Sequence, residues 1–213
     1  MKGIYLVTDQ AACKGRSIES IVMDSAKAGL CCVQLREKNI NTRHFLKKAM
    51  ALKNILEPFK IPLIINDRLD IALAAKAGGV HIGQSDMPYD YARRLMGDKA
   101  IIGLSVETWE DVEKAQDMDV NYLGVSPVFP TPTKTDTKDP WGLNGLEKIR
   151  AYSRHPLVAI GGLDASNSGK VVKAGADSIA VVSAICSVEN PFAATKQLVA
   201  VFEQSWNFKE KKV

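Results

Sequence analysis

Two carboxylates open the chemistry of this chain. Asp67 ends the run Ile64-Ile65-Asn66-Asp67, and Asp86 ends His81-Ile82-Gly83-Gln84-Ser85-Asp86. Each run is apolar, of strand length, and finishes in polar residues. Neighbouring strand ends lie about 5 Å apart, so two such carboxylates can share one hard cation such as Mg²⁺. That ion prefers oxygen ligands and commonly completes its shell with water and substrate phosphates. The competing readings are local: Asp67 as the cap of a helix beginning at Arg68, and Asp86 as a turn residue before Met87-Pro88.

Phosphate grips accompany the carboxylates. Gln34, Arg36 and Lys38 alternate along and just beyond a strand, which puts all three on one side. A guanidinium fork grips two oxygens and an ammonium adds a point charge, so the trio suits a diphosphate. Thr131, Thr133 and Lys134 combine hydroxyls with a cation in a proline-punctuated loop. Gly161-Gly162 and Val182-Ser183 end two later strands, where backbone N–H groups can bind a phosphate. The plainer alternatives are a solvated charged loop, a polar loop without a ligand and a glycine pair required by helix packing. The histidines offer little. His44 lies in a helical pattern, His155 precedes Pro156, and His81 reads as a mid-strand core residue. No Ser-His-Asp or Cys-His set can be assembled from them.

The elements that must carry these residues alternate. Apolar runs of strand length cover 3–8, 32–36, 62–66, 79–82, 100–105, 121–125, 157–160 and 178–182, with amphipathic stretches between them. Asn41 caps a helix whose apolar positions are Phe45, Ala49, Leu52 and Leu56, and Pro58 stops it. Asn190-Pro191 starts another helix, and Gly29 and Gly175 fall at helix C-caps. Strict alternation predicts a parallel sheet with helical crossovers, and eight even units predict a single (β/α)₈ TIM barrel over 1–213. A doubly wound sheet is the alternative, but no GxGxxG follows the first strand. The aperiodic segment 126–141 follows the sixth strand, where a lid over the site would lie. Residues 206–213, with Lys209-Glu210-Lys211-Lys212, read as a frayed tail.

Composition narrows the classes. The chain has 213 residues, 46% hydrophobic and 24% charged, which suits one globular domain rather than disorder. A net charge of +4, partly from the tail, gives no basic patch for nucleic acid. Four cysteines lack zinc or redox spacing and read as small buried hydrophobes. No run approaches the ~20 apolar residues of a membrane span, and no secretory leader is evident, so a cytoplasmic protein acting on small molecules is expected. The helix exteriors present no clear oligomer seam, which leaves monomer and dimer both open.

Taken in order, Gln34-Leu35-Arg36-Glu37-Lys38, Asn66-Asp67, His81 to Asp86, Gly103-Leu104-Ser105, Thr131-Pro132-Thr133-Lys134, Ile160-Gly161-Gly162 and Val182-Ser183 resemble the motifs of the thiamine phosphate synthase family. The similarity runs from Tyr5 to about Ala194. It implies a Mg²⁺-assisted transferase that joins hydroxymethylpyrimidine diphosphate to a thiazole phosphate, carboxylated or not, with release of diphosphate. Carried over by position, Gln34, Arg36, Lys38, Asn66, Ser105 and Lys134 would contact the pyrimidine diphosphate, with Ser105 and Lys134 assisting the chemistry. Asp67 and Asp86 would hold Mg²⁺, and Thr131, Thr133, Gly162, Val182 and Ser183 would bind the thiazole phosphate. Glu107 and Gly79 depart from the family pattern, outside these sets. The rival expectations on the same barrel are a thiazole tautomerase, a non-catalytic regulator and a Schiff-base aldolase using Lys38 or Lys134.

Overall fold

A parallel strand has no tight-turn route to its neighbour, so each βα unit must return over a helix that covers the sheet. Eight such returns close the sheet on itself. In the computed structural model, which describes residues 1–131 and 138–210, the strands form one closed parallel barrel in sequence order. They are β1 (Gly3–Val7), β2 (Leu30–Leu35), β3 (Leu63–Asn66), β4 (Gly79–Ile82), β5 (Ile101–Val106), β6 (Tyr122–Val125), β7 (Leu157–Ile160) and β8 (Ser178–Val181). The (β/α)₈ expectation holds, and the strand boundaries fall within about two residues of those read from the sequence.

The helices are α1 (Ile18–Ala28), α2 (Thr42–Leu56), α3 (Leu69–Ala74), α4 (Tyr89–Met96), α5 (Trp109–Ala115), α6 (Gly142–Tyr152), α7 (Ser168–Lys173), α8 (Ser183–Cys186) and α9 (Pro191–Glu210). Several of their ends follow capping residues. The Asn41 side chain accepts from the His44 amide at the start of α2, and Asn190 accepts from Ala193 at the start of α9. Gly29 closes α1 in the left-handed conformation, φ +107°. Phe45, Ala49, Leu52 and Leu56 are the buried face of α2, as their spacing requires.

Two differences from the sequence expectation stand out. The short helix α8 intervenes between β8 and the outer helix, too brief to leave a periodic signal. Helix α9 also continues to Glu210, where a frayed tail is expected from 206. Trp206 stacks on Phe202, and the Lys2 ammonium lies 4.4 Å from the Trp206 ring. Lys209 donates to the carbonyls of Gly175 and Ala176, so its charge serves as a cap rather than as a solvated tail.

The core has two layers. Outward strand residues such as Ile4, Leu6, Ile65, Val80 and Leu123 pack under the helices. Inward residues Tyr5, Val7, Cys32, Ile64, Tyr122, Val158 and Ala180 fill the barrel. Period two fixes this division, so each inward residue further along a strand stands closer to the C-terminal mouth. All four cysteines are free, and burial pushes the Cys31 and Cys186 thiols up to about 12. Among the described residues, no helix is long and apolar enough to cross a membrane.

Candidate active site

The C-terminal strand ends surround a cavity of about 1080 Å³. Gln34, Arg36, Lys38, Asn66, Asp67, Asp86, Ser105, Thr131, Gly162, Val182 and Ser183 all line it. The topology thus gathers eleven residues drawn from seven separate segments of sequence. Thr133 and Lys134, with the middle of the expected lid, lie outside the described residues.

At the end of β2, the three alternating side chains enter the cavity at successive heights. Gln34 is buried, and its amide donates to the Tyr5 hydroxyl at 2.9 Å. Arg36 pairs with Asp9 at 3.3 Å, and its backbone N–H donates to Thr8 Oγ1. Lys38 is half-exposed, with its ammonium 2.6 Å from Asp67 Oδ2. Glu37, between the two cations, turns away: its side chain is only 5% exposed and pairs with Lys48, which also donates to Gln10. Arg36-Glu37-Lys38 is therefore no solvated loop. A charge pair beneath the surface fastens it to α2 and to the loop after β1.

The two carboxylates meet one strand further round. Asp67 follows β3, its N–H donating to the His81 carbonyl at 2.9 Å. Its φ is +62°, and Arg68 N–H closes a three-residue turn onto the Asn66 carbonyl at 2.7 Å. Such a turn is strained, and aspartate tolerates the left-handed region better than most residues. Asp67 does not cap α3; the residue at that position is Arg68, and it makes no side-chain capping bond. Asp86 accepts from the Gly83 amide at 2.7 Å, within the turn after β4. Burial raises the Asp86 carboxyl above its ordinary value; the Gly83 hydrogen bond opposes this and the neighbouring Asp67 adds to it.

These donors fit a hard divalent ion. Two adjacent carboxylates open on a cavity, and Lys38 already supplies positive charge to one of them. Among the described residues, no group of three or more His, Cys, Asp or Glu side chains is arranged for a metal. An ion held here would take its remaining ligands from water or substrate oxygens, as Mg²⁺ commonly does.

Below the charged rim runs a chain that sequence reasoning missed. Tyr5 and Tyr122 share a hydrogen bond of 2.9 Å between their hydroxyls. His81 lies 3.0 Å from the Tyr122 hydroxyl through Nδ1 and 2.8 Å from Ser105 Oγ through Nε2. His81 is thus not a core residue; it points into the barrel and lines the cavity. The signal was parity: Gly79, His81 and Gly83 alternate with the outward Val80 and Ile82. The same rule that selected Gln34 and Arg36 selects His81.

The opposite side of the mouth is built from backbone. Gly161 and Gly162 have φ of +106° and +64°. A Cβ on Gly161 would stand 2.6 Å from Pro127 Cβ, and one on Gly162 would stand 2.6 Å from the Pro130 carbonyl oxygen. Glycine is required there by both conformation and space. The start of the segment after β6 is in turn tied to β7, with Val128 N–H donating to Ile160 O and Phe129 N–H to Gly161 O. Asn167 donates to the Gly162 carbonyl at 2.8 Å. Val182 and Ser183 stand at the head of α8, where the first amides of a helix have no intrahelical partner.

Fold and mouth together define a (β/α)₈ barrel with a polar, charge-bearing cavity at its C-terminal face, the position used by barrel enzymes. A family model described as thiamine monophosphate synthase matches residues 4–185, and the chain belongs to that family. It is 54% identical over 195 residues to the thiamine-phosphate synthase of Albidiferax ferrireducens, covering 92% of this chain and 89% of that one. It is 43% identical over 200 residues to the enzyme of the same name from Vibrio parahaemolyticus, covering 94% and 98%. A solved structure of thiamine phosphate pyrophosphorylase from Pyrococcus furiosus superposes with a TM-score of 0.87 at 33% identity, covering 95% of this chain and 96% of that one. These matches do not favour the tautomerase or regulator alternatives.

Proposed function

We propose that the cavity joins hydroxymethylpyrimidine diphosphate to a thiazole phosphate, giving thiamine phosphate and diphosphate in a cytoplasmic reaction. The observation that carries this is the convergence of Arg36, Lys38, Asp67 and Asp86 on one rim of the cavity, opposite the glycine-lined rim. Family membership supplies the chemistry that such a division suits.

Arg36 and Lys38 bind the diphosphate and neutralise charge as it leaves. Asp67 and Asp86 are the residues that hold Mg²⁺, which when bound offsets the charge of the departing diphosphate. Lys38 exchanges its contact with Asp67 for a diphosphate oxygen as substrate enters. Gln34 and Asn66 orient the pyrimidine diphosphate, and Ser105 Oγ hydrogen-bonds to it. On this account departure precedes bond formation, and the thiazole nitrogen traps a pyrimidine methylene cation. Such a step calls for preorganised charge rather than a strong base. Thr131, Thr133, Gly162, Val182 and Ser183 hold the thiazole phosphate, and Lys134 from the loop after β6 adds a cation to the departing diphosphate.

The test mixes the purified protein with both substrates, in Mg²⁺ and in chelator, and follows diphosphate and thiamine phosphate. Metal-dependent formation of both products is expected. Neither product, with isomerisation of a carboxythiazole phosphate instead, would replace this reading by the tautomerase.

A further inference from the structure

Five polar side chains form an unbroken line across the barrel beneath the charged rim: Gln34, Tyr5, Tyr122, His81 and Ser105. The line occupies space that the sequence leaves open for it. A Cβ on Gly103 of β5 would come within 2.1 Å of Tyr122 Cζ and 2.3 Å of its hydroxyl oxygen. A Cβ on Gly124 of β6 would stand 2.9 Å from His81 Cε1. Two inward strand positions are thus glycine where a side chain would displace one or other ring. Tyr122 and His81 are stacked with centroids 5.5 Å apart, which fixes the imidazole plane.

Donor counting gives the line a direction. The Gln34 amide donates to the Tyr5 oxygen. Tyr5 has one proton, and in a linear chain that proton passes to the Tyr122 oxygen. Burial raises both phenols well above their ordinary value, so both remain protonated donors. The Tyr122 proton then meets His81 Nδ1, which must accept it. A neutral imidazole accepting at Nδ1 carries its proton on Nε2, 2.8 Å from Ser105 Oγ. The opposite direction would end with the Tyr5 proton facing the Gln34 amide N–H.

We propose that His81 is a positioning residue: as the neutral Nε2–H imidazole it donates to Ser105 Oγ and turns the serine's own proton outward, toward the bound substrate. The substrate's identity rests on the reaction proposed above; the direction of the chain does not. Ser105 is the group in contact with substrate, and His81, Tyr122 and Tyr5 act through it.

The test has two arms. In the ligand-free protein labelled with ¹⁵N histidine, long-range ¹H–¹⁵N spectra assign the His81 tautomer. An Nε2–H signature with unprotonated Nδ1 is expected; an Nδ1–H tautomer overturns the proposal whatever the protein catalyses. The kinetic arm uses His81→Gln, whose amide nitrogen reaches the place of Nε2, and His81→Asn, whose amide reaches only the place of Nδ1. His81→Asn should lower kcat on the order of tenfold, as Ser105→Ala should, while KM for thiazole phosphate stays put. His81→Gln should recover most of that loss. Combined with Ser105→Ala, His81→Asn should cost nothing further, because both remove one unit. Additive losses, or equal losses for Gln and Asn, would reduce His81 to packing. Tyr122→Phe leaves both Ser105 and His81 in place, and in it the unique tautomer should give way to a mixture. A wild-type protein that forms no thiamine phosphate would overturn the assigned reaction, while the imidazole spectrum would still decide the chain.

Discussion

The two sides of the barrel mouth face each other across one cavity and are made of different material. Between β2 and β4 the rim is side-chain charge held by other charge: Arg36 by Asp9, Lys38 by Asp67, Glu37 by Lys48. Between β6 and β8 it is backbone, shaped by Gly161, Gly162 and the turn into α8. The first side supplies full charges that can neutralise a leaving group. The second supplies fixed dipoles at close range, suited to holding a phosphate that does not react. On the proposed reading the difference is a division of labour: chemistry on the charged side, anchorage on the glycine side. Substitutions should therefore separate into kcat effects and KM effects by location.

The largest effect is expected at Asp67. Asp67→Ala removes a carboxylate proposed to hold Mg²⁺ and releases Lys38 from its 2.6 Å contact. Turnover should fall about 10²–10³-fold, on the scale of losing one preorganised electrostatic group, and a modest loss of thermal stability should accompany it because alanine tolerates the φ of +62° less well. Steady-state rates across a Mg²⁺ titration check this. Near-wild-type turnover with unchanged metal dependence would dissolve the division on its charged side.

Next comes Gly162→Ala. The residue must keep φ near +64° with its new methyl 2.6 Å from the Pro130 carbonyl oxygen, so the loop after β7 has to move. A rise in KM for thiazole phosphate on the order of tenfold is expected, with a much smaller change in the KM for pyrimidine diphosphate. The opposite pattern would mean that the phosphates are exchanged between the two sides.

The two sides also differ in how far sequence reveals them. Alternation alone gave the barrel, because a strand buried on both faces and a helix with one apolar face leave different periods. Charged side chains at strand ends were visible for the same reason, as Arg36, Lys38, Asp67 and Asp86 interrupt apolar runs. Backbone function leaves only glycine, which serves equally for packing, so Gly161-Gly162 was ambiguous until its φ values and close contacts were known. A single histidine in an apolar strand reads by default as core, and only parity against Gly79 and Gly83 turns His81 into the barrel. The clamp of Glu37 on Lys48 was hidden because a charge run does not disclose which member turns inward. Residues 206–210 misled in the reverse sense, with Lys209 reading as solvated although it caps carbonyls across the fold.

Lys48 tests whether the charged side needs its support. Lys48→Met strands the Glu37 carboxylate, which is almost wholly covered. Removing one partner of a buried pair costs 3–5 kcal/mol; Lys48 is partly exposed, so about 2–3 kcal/mol is expected. That corresponds to a fall in Tm of roughly 5–10 °C for a chain of this size. KM for pyrimidine diphosphate should rise a few-fold as Arg36 and Lys38 lose their footing, and KM for thiazole phosphate should not move. Calorimetry with paired KM measurements checks both.

The smallest effect on stability is expected at Asp86, and it has the opposite sign. In the free protein Asp86 is raised by burial, with Asp67 adding to it against the Gly83 hydrogen bond. The folded state therefore holds this proton to a higher pH than the unfolded chain does. The resulting stabilisation is complete below the unfolded carboxylate's titration and fades as pH rises through the folded value. Asp86→Asn keeps an acceptor for the Gly83 N–H and removes the charge. Its Tm should match wild type in acid and exceed it slightly at neutral pH, while Mg²⁺-dependent turnover is lost. Added Mg²⁺ should narrow that gap by stabilising only the wild type, since an ion bound to the native state alone raises its Tm. A variant less stable than wild type at neutral pH would show that Asp86 is there for the turn after β4, and that the charged side of the mouth carries no stability cost of its own.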